Sequence, residues 1–377
     1  MFNKLCLIYF SFSVIIFSSC ELNNNKPLIS ESVPLTIDLS YAKHFNINKS
    51  DSIYHITVLD PWQSSKNTAF SYFFSSKSIK QNNAIQIPVK RVVCLSTSHI
   101  GFLSILNKQE SIVGISGVRF VNDSTTQKLI TSNKIADVGY EESLNYELIL
   151  SLKPDLILAY GVESEKIGYI TKLKDLGLPV VFIAEYLEDS PLAKAEWIKL
   201  FGVLFNKESC SDSIFSTIEK EYNNIKQIAS KYKTKPSVFA GLPWKDSWFI
   251  SGGNSNLAQL INDASGSYIW KEDTTHESFP LSLEAVFQKA SEADFWINTG
   301  SANSLQEITN SDERLTLFKP FIKNNVYNNN FRINLNGGND YWESGIVKPQ
   351  IILQDLLEIF HPGTLQNHKL YFYKKLQ

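Results

Sequence analysis

Two stretches far apart in this chain repeat one pattern, and that repeat limits the folds open to it. The first copy runs from Glu147 to Gly161, ELILSLKPDLILAYG, and the second is LEAVFQKASEADFWINTG, ending at Gly300. In each, helical apolar spacing leads to an Asp (Asp155, Asp294), then a short apolar run and a Gly six residues past the Asp. Pro154 ends the first helix, because a proline drives the residue before it out of helical angles. Leu156 to Ala159 is short, continuous and apolar, as in a strand buried on both faces of a parallel sheet. Each copy therefore predicts a helix feeding a buried strand whose C-terminal end carries a loop. Two copies predict two similar α/β lobes, and a cleft between lobes is a favoured place for a ligand.

The remaining texture agrees. Residues 33–90 alternate apolar and polar in short bursts (LTIDL, YHITVLD, AFSYFF, AIQIPV), which predicts an antiparallel β extension. From Arg91 the chain alternates buried strands (RVVCLS, SIVGIS, PVVFIAEY) with helical stretches, the order of a mainly parallel sheet. Thr97-Ser98 are placed to cap the first of these helices. Residues 191–234 read as almost wholly helical. PLAKAEWIKLFGVLF is followed by a long amphipathic stretch with Phe215, Ile218, Tyr222, Ile225 and Ile228 on one face. The second lobe opens with SVFAGLP, and its last helix is VKPQIILQDLLEIF. The fold class expected is α/β: two Rossmann-like lobes, 33–190 (with the β extension) and 235–377, joined by a long rigid helix within 191–234.

The 377 residues leave room for two domains, and a net charge of -2 with no clustered Lys/Arg face argues against a nucleic-acid partner. Residues 1–20 read as a leader. Lys4 precedes an apolar core, Leu5 to Phe17, too short to span a bilayer comfortably, and Ser18-Ser19 lead into Cys20. This resembles a bacterial lipobox, with Phe17 in place of the usual aliphatic residue, and implies a diacylglycerol anchor on Cys20. Residues 21–32 form a polar tether. The body is thus expected outside the cytoplasm, tied to a membrane, with the periplasm as the compartment. Cys94 and Cys210 match no zinc spacing and are expected to be buried thiols.

Catalytic and metal signals are weak. His99, His276 and His361 form no metal-binding pair. Ser96 and Ser98 beside His99 allow an extracytoplasmic serine hydrolase as an alternative, but no G-x-S-x-G elbow is present. The GGNSN loop at 252–256 reads as a tight turn with a helix cap, since it has no phosphate-loop lysine. Aromatics are more informative. Tyr160, Tyr186, Trp244, Trp248, Tyr341 and Trp342 fall at or near strand ends, the edge where open α/β sheets bind ligands. With Arg119, Glu185, Arg332, Asn339 and Glu343 they suit a large planar or amphipathic ligand.

The order of RVVCLS with STSH, SIVGIS, DVG with NYELILSLKPDLIL, LGLPVVFI, SGGNSNLAQLIND and ADFWI resembles the substrate-binding proteins of ABC importers for cobalamin and ferric siderophores. EYLEDSPLAKAEWIK and GGNDYWESG look like the lipoprotein branch common in Bacteroidetes-type bacteria. The resemblance implies a monomeric, non-enzymatic protein without a cofactor. It would hold a ferric siderophore, haem or cobalamin in a shallow cleft and dock on a permease dimer through one exposed Glu per lobe. The first-lobe candidates are Glu163 and Glu165, and the second-lobe candidates Glu307 and Glu313. A surface-exposed lipoprotein capturing the same ligands for an outer-membrane receptor is the alternative within binding proteins.

Overall fold

The computed structural model describes residues 35–77, 84–140, 143–161 and 168–377. The leader, the tether, the lipidation residue Cys20, Glu163 and Glu165 lie outside the described residues. No helix among those described is long and apolar enough to cross a membrane.

The extension comprises β1 (Leu35–Ile37), β2 (Phe45–Ser50), β3 (Ile53–Leu59), β4 (Ala69–Ser75) and β5 (Ile85–Gln86), ordered β1-β2-β3-β4-β5. Alternation sets its inner face: Phe45, Ile47, Tyr54, Ile56 and Val58 are buried while their neighbours are not. The first four strands are antiparallel, but β5 runs parallel to β4, which corrects the expectation of a wholly antiparallel extension. At that point the chain is already heading into the next lobe, with Val89 N–H donating to Leu204 O. Two buried carboxylates sew the segment before β2 to the body. Glu196 accepts the N–H groups of Ser40, Tyr41 and Ala42, each at 2.8 Å, and Glu188 accepts those of Lys43 and His44.

The first lobe alternates β6 (Val92–Cys94), α1 (Thr97–Ile105), β7 (Ile112–Ile115), α2 (Ser124–Thr131), β8 (Ala136–Asp137), α3 (Tyr146–Leu152), β9 (Leu156–Ala159), α4 (Gly168–Asp175) and β10 (Val180–Phe182). Its sheet is all parallel, ordered β10-β9-β6-β7-β8, and β6, β7, β9 and β10 are buried along their whole length. Three helices follow: α5 (Pro191–Glu196), α6 (Ile198–Leu204) and α7 (Glu208–Ala229). The helical stretch PLAKAEWIKLFGVLF breaks at Trp197, which is fully buried and donates from Nε1 to Glu188 Oε1 at 2.9 Å. The 22 residues of α7 span about 33 Å at the standard rise and bury Phe215, Ile218, Tyr222 and Ile225. Cys210, on the solvent side of α7, is exposed, so among the described residues only Cys94 is a buried thiol.

The second lobe holds β11 (Ser237–Ala240), β12 (Trp248–Ser251), α8 (Asn256–Asp263), β13 (Ser267–Tyr268), β14 (Ser278–Leu281), α9 (Leu283–Ala290), β15 (Phe295–Ile297), α10 (Leu305–Ser311), α11 (Lys319–Ile322), β16 (Val326–Asn328), α12 (Asp340–Glu343), α13 (Pro349–Phe360) and β17 (Lys374–Lys375). Its sheet is ordered β13-β11-β15-β16-β17 and is parallel except for β17, while β12 and β14 pair as a separate antiparallel ribbon.

The repeated Asp does the same job in both lobes. Asp155 Oδ2 accepts the N–H groups of Lys90 and Arg91 at 2.9 Å, and its own N–H donates to Arg91 O. Asp294 Oδ2 accepts the N–H and hydroxyl of Ser237 at 2.8 Å, and its N–H donates to Ser237 O. Each Asp precedes one strand and pins the start of its neighbour, β6 or β11.

One stretch of the second lobe makes contacts across to the first. Residues 334–347, read as part of the second lobe, reach back to the first. Asn334 Nδ2 donates to Arg119 O and Val121 O, and Glu343 accepts the N–H groups of Asn122 and Asp123 at 2.7 and 2.6 Å. The backbones meet so closely that a Cβ on Gly338 would lie 2.0 Å from Phe120 O, and one on Gly101 2.2 Å from Glu343 O.

Candidate functional site

The C-terminal ends of the two parallel sheets face each other across a cleft. Its first chamber, about 420 Å³, is lined on one side by Leu95 and Ser96 after β6, Ser116 after β7, Tyr140 after β8 and Tyr160 after β9. Opposite lie Gly300 and Ser301 after β15, Asn330 after β16, and the stretch from Ile333 to Trp342. Phe120, Tyr140, Tyr160 and Trp342 give it aromatic walls, and none of its lining residues is Asp, Glu, Lys, Arg or His. Asn330 is buried; its Nδ2 donates to Ala302 O and Asn303 Oδ1, leaving Oδ1 as a buried acceptor without a donor. A second chamber, about 370 Å³, is lined by Tyr186 of the first lobe, by Lys194 of α5, and by Gly241, Phe249, Asn298 and Tyr341 of the second lobe. Trp342 lines both chambers and is 59 % exposed, so the cleft is continuous past its indole. Each volume falls in the range of small-molecule sites.

Local sequence explains how these side chains are held. Asn339 caps α12 by accepting from Tyr341 N–H, which fixes the turn carrying Tyr341 and Trp342. Tyr341 is buried edge-on against Phe372, Tyr373 and the Trp342 indole, whose centroid is 4.7 Å away. Asn328 Nδ2 donates to Gly300 O and Ala302 O, so the run Asn328–Asn330 ties the loop after β15 to the end of β16. Tyr186 donates its hydroxyl to Gly161 O, and Tyr169 donates to Tyr160 O, bracing the far wall. At the rim His276 Nδ1 lies 2.8 Å from Asp189 Oδ1, a contact from one lobe to the other.

The structure brings Tyr160, Tyr186, Asn339, Tyr341 and Trp342 to the cleft. It places others elsewhere. Trp248 is fully buried: it packs on Phe239, Trp296 and Phe318 and donates from Nε1 to Ala240 O, so it is core. Glu185 is also buried, accepting from Ser98 Oγ at 2.5 Å beneath the surface. Burial raises its pKa, against the Ser98 hydrogen bond and Lys194. Trp244 is exposed under the Lys245 ammonium and lines none of these chambers. Arg332 is committed to Asp340 at 2.6 Å and to the Tyr371 ring, and Arg119 stacks on Phe120. Glu343 serves the backbone of α2's cap rather than the cleft.

The serine cluster is structural. Ser96, not Thr97 or Ser98, caps α1 by accepting from Ser98 N–H. His99 is wholly enclosed without partners, and burial pushes its pKa down to about 3. His99 therefore serves no serine there as a base. Gly252 and Gly253 lie under Thr275 O and Asp273 O, and Ser255 caps α8 through Ala258 N–H, as the turn reading of GGNSN has it. Among the described residues no cluster of His, Cys, Asp and Glu could hold a metal ion. Of the second-lobe acids, Glu307 accepts from Asn303 N–H at the start of α10, whereas Glu313 is exposed and its carboxylate has no hydrogen bond or ion pair among the described residues.

Sequence reasoning missed Phe120, Tyr140, Asn330, Lys194 and Asn256. A usable signal existed for Lys194: in α5, PLAKAE, every other residue is buried, and a lone lysine in such a helix has to have its charge accounted for.

The model of a family described as periplasmic binding protein matches residues 92–329. The chain belongs to the periplasmic binding protein family. It is 26% identical to an uncharacterized lipoprotein of Methanocaldococcus jannaschii over 95% of this chain and 91% of that one. It is 25% identical to an uncharacterized ABC transporter substrate-binding lipoprotein of Bacillus subtilis over 48% of this chain and 56% of the other. Among solved structures it resembles a periplasmic heme-binding protein from Pseudomonas aeruginosa, with a TM-score of 0.58 and 14% identity over 77% of this chain and 98% of that one. Family membership makes this a solute-binding protein rather than an enzyme, which disposes of the hydrolase alternative. The matched segment covers both sheets up to the end of β16; the β extension and the returning segment 334–347 of the binding protein lie outside it.

Proposed function

We propose that this binding protein carries an iron chelate (a siderophore or haem) or cobalamin to an ABC permease, held to a bacterial membrane by lipid on Cys20. The observation that carries this reading is the aromatic cleft at the facing sheet ends, with Trp342 common to both chambers. Aromatic faces bind large rings through area and dispersion. Tyr160, Tyr186, Asn339, Tyr341 and Trp342 are the ligand contacts in this reading. Glu313 is the second-lobe docking acid, since its carboxylate is uncommitted, and Glu163 or Glu165 is its first-lobe counterpart. Rim acids of this kind set orientation and on-rate more than affinity.

The test is a tryptophan-fluorescence titration of the full-length chain in mild detergent. The probes are haem, cyanocobalamin, and hydroxamate, citrate and catecholate ferric chelates. Saturable quenching by at least one probe at micromolar level is expected, with a loss of about ten-fold or more in Trp342→Ala. No quenching by any of them would sink the proposal.

A further inference from the structure

Beside the second chamber lies a recess of about 60 Å³, and Lys194, Asn256, Tyr341 and Trp342 line both. Pro191, Leu260, Ile346 and Ile352 give it apolar walls. Two nitrogen donors stand among them without acceptors. Asn256 Nδ2 is buried with no hydrogen-bond partner. Lys194 makes neither a side-chain hydrogen bond nor an ion pair among the described residues.

The carboxylates around Lys194 form no hydrogen bond or ion pair with it. Glu185 accepts from Ser98 Oγ through Oε1 while its buried Oε2 has no hydrogen-bond partner, Glu188 accepts from Lys43 and His44 N–H and Trp197 Nε1, and Asp189 pairs with His276 and Lys43. They act on the ammonium only at longer range, and burial still holds its pKa below the usual lysine value. An unpaired buried donor such as Asn256 Nδ2 is costly, and the half-buried, unpaired Lys194 ammonium adds to that cost. Both costs vanish if an incoming acceptor of negative charge fills the recess. Its volume suits one small group and no more.

We propose that this recess is a subsite for a carboxylate arm of the ligand, clasped by Lys194 Nζ and Asn256 Nδ2 while the ligand's ring rests on Trp342. The inference rests on the reading of the cleft as the ligand site and narrows it to ring compounds bearing a short acidic side chain. A ligand with only neutral arms leaves both donors as they stand.

Paired probes that differ only in the arm separate the two readings: iron protoporphyrin against its dimethyl ester, and cyanocobalamin against its monocarboxylic acid. With the full-length chain, at least one acidic form should bind about ten- to a hundred-fold tighter than its neutral partner, as fits one charge-assisted hydrogen bond. In Lys194→Met the preference should shrink to about three-fold or less, and Asn256→Ala should reduce it partly. Circular dichroism of both variants checks that they fold. Equal affinity for acidic and neutral forms, or a preference that survives both substitutions, overturns the subsite and leaves the proposed function standing. Binding of no probe at all overturns both.

Discussion

At the scale of single residues, the aspartates of the repeat are structural pins. Asp294 is the better test because Lys319 joins it at 2.9 Å. Burial pushes its pKa up, but the Ser237 and Lys319 hydrogen bonds pull harder, so the net shift is downward. A carboxyl whose folded pKa is depressed contributes stability that is present above the unfolded value, about 3.9, and is lost as pH falls through the folded value. With 40 % of its side chain exposed, solvent screening discounts the interaction, so Asp294→Asn should cost about 1 kcal/mol or less at pH 7 by chemical denaturation, with the gap to wild type closing below about pH 4. A gap that persists unchanged at pH 3 would contradict this. The sequence disclosed that these positions matter but not why. A short-range pattern carries no information on which neighbouring strand an Asp reaches. Burial was the other obscure quantity: Trp248 and Trp342 look alike in the sequence, yet one is enclosed by three aromatic rings and the other is 59 % exposed.

At the scale of elements, helices and strands with strong apolar periodicity were legible. β9 has the bounds its pattern predicts, and α7, β11 and α13 fall within the stretches that predict them, because burial of one face or both writes itself into the spacing. The break at Trp197 and the parallel course of β5 were not legible, since each is decided by a partner more than a helix turn away. The short helix α12 shows what such partners do. Its Glu343 is buried and caps a backbone turn of the other lobe. Burial raises its pKa to about 7, helped by Asp340 and Asp123 and opposed by the Asn122 and Asp123 N–H groups. A folded pKa above the unfolded one means the native state holds the proton more tightly. The associated stability is full below about pH 4.3 and is lost as pH rises through 7. Thermal midpoints of wild type should accordingly fall between pH 5 and pH 8, and Glu343→Gln, which cannot ionise, should flatten that slope. An identical slope in the variant would exclude Glu343 as its source.

For the molecule as a whole, the two-lobe plan and the inter-lobe cleft could be read from the repeat, the helical connector and the family resemblance. The second tie between the lobes could not, because residues 334–347 follow β16 without any periodicity and their partners, Arg119 to Asp123, lie more than two hundred residues away. The tie makes a sharp prediction. A methyl group at Gly338 has the backbone Phe120 O at 2.0 Å, and moving the Asn334 side chain, at 2.7 Å, would not relieve that contact. Gly338→Ala should force the segments apart, destabilise the protein by about 1–3 kcal/mol and weaken binding in the first chamber. Denaturant midpoints and quenching titrations measure the two effects, and a variant as stable as wild type would refute so close an approach.

That second tie also bears on information. A body fastened through α7 on one side and through Asn334 and Glu343 on the other has little freedom to change outline when its cleft fills. Full and empty molecules then present nearly the same silhouette to whatever docks on them. A receiver that needs to know whether cargo is aboard has to sense the cargo itself at the mouth of the cleft, where Trp342 and Tyr140 leave a filled site visible.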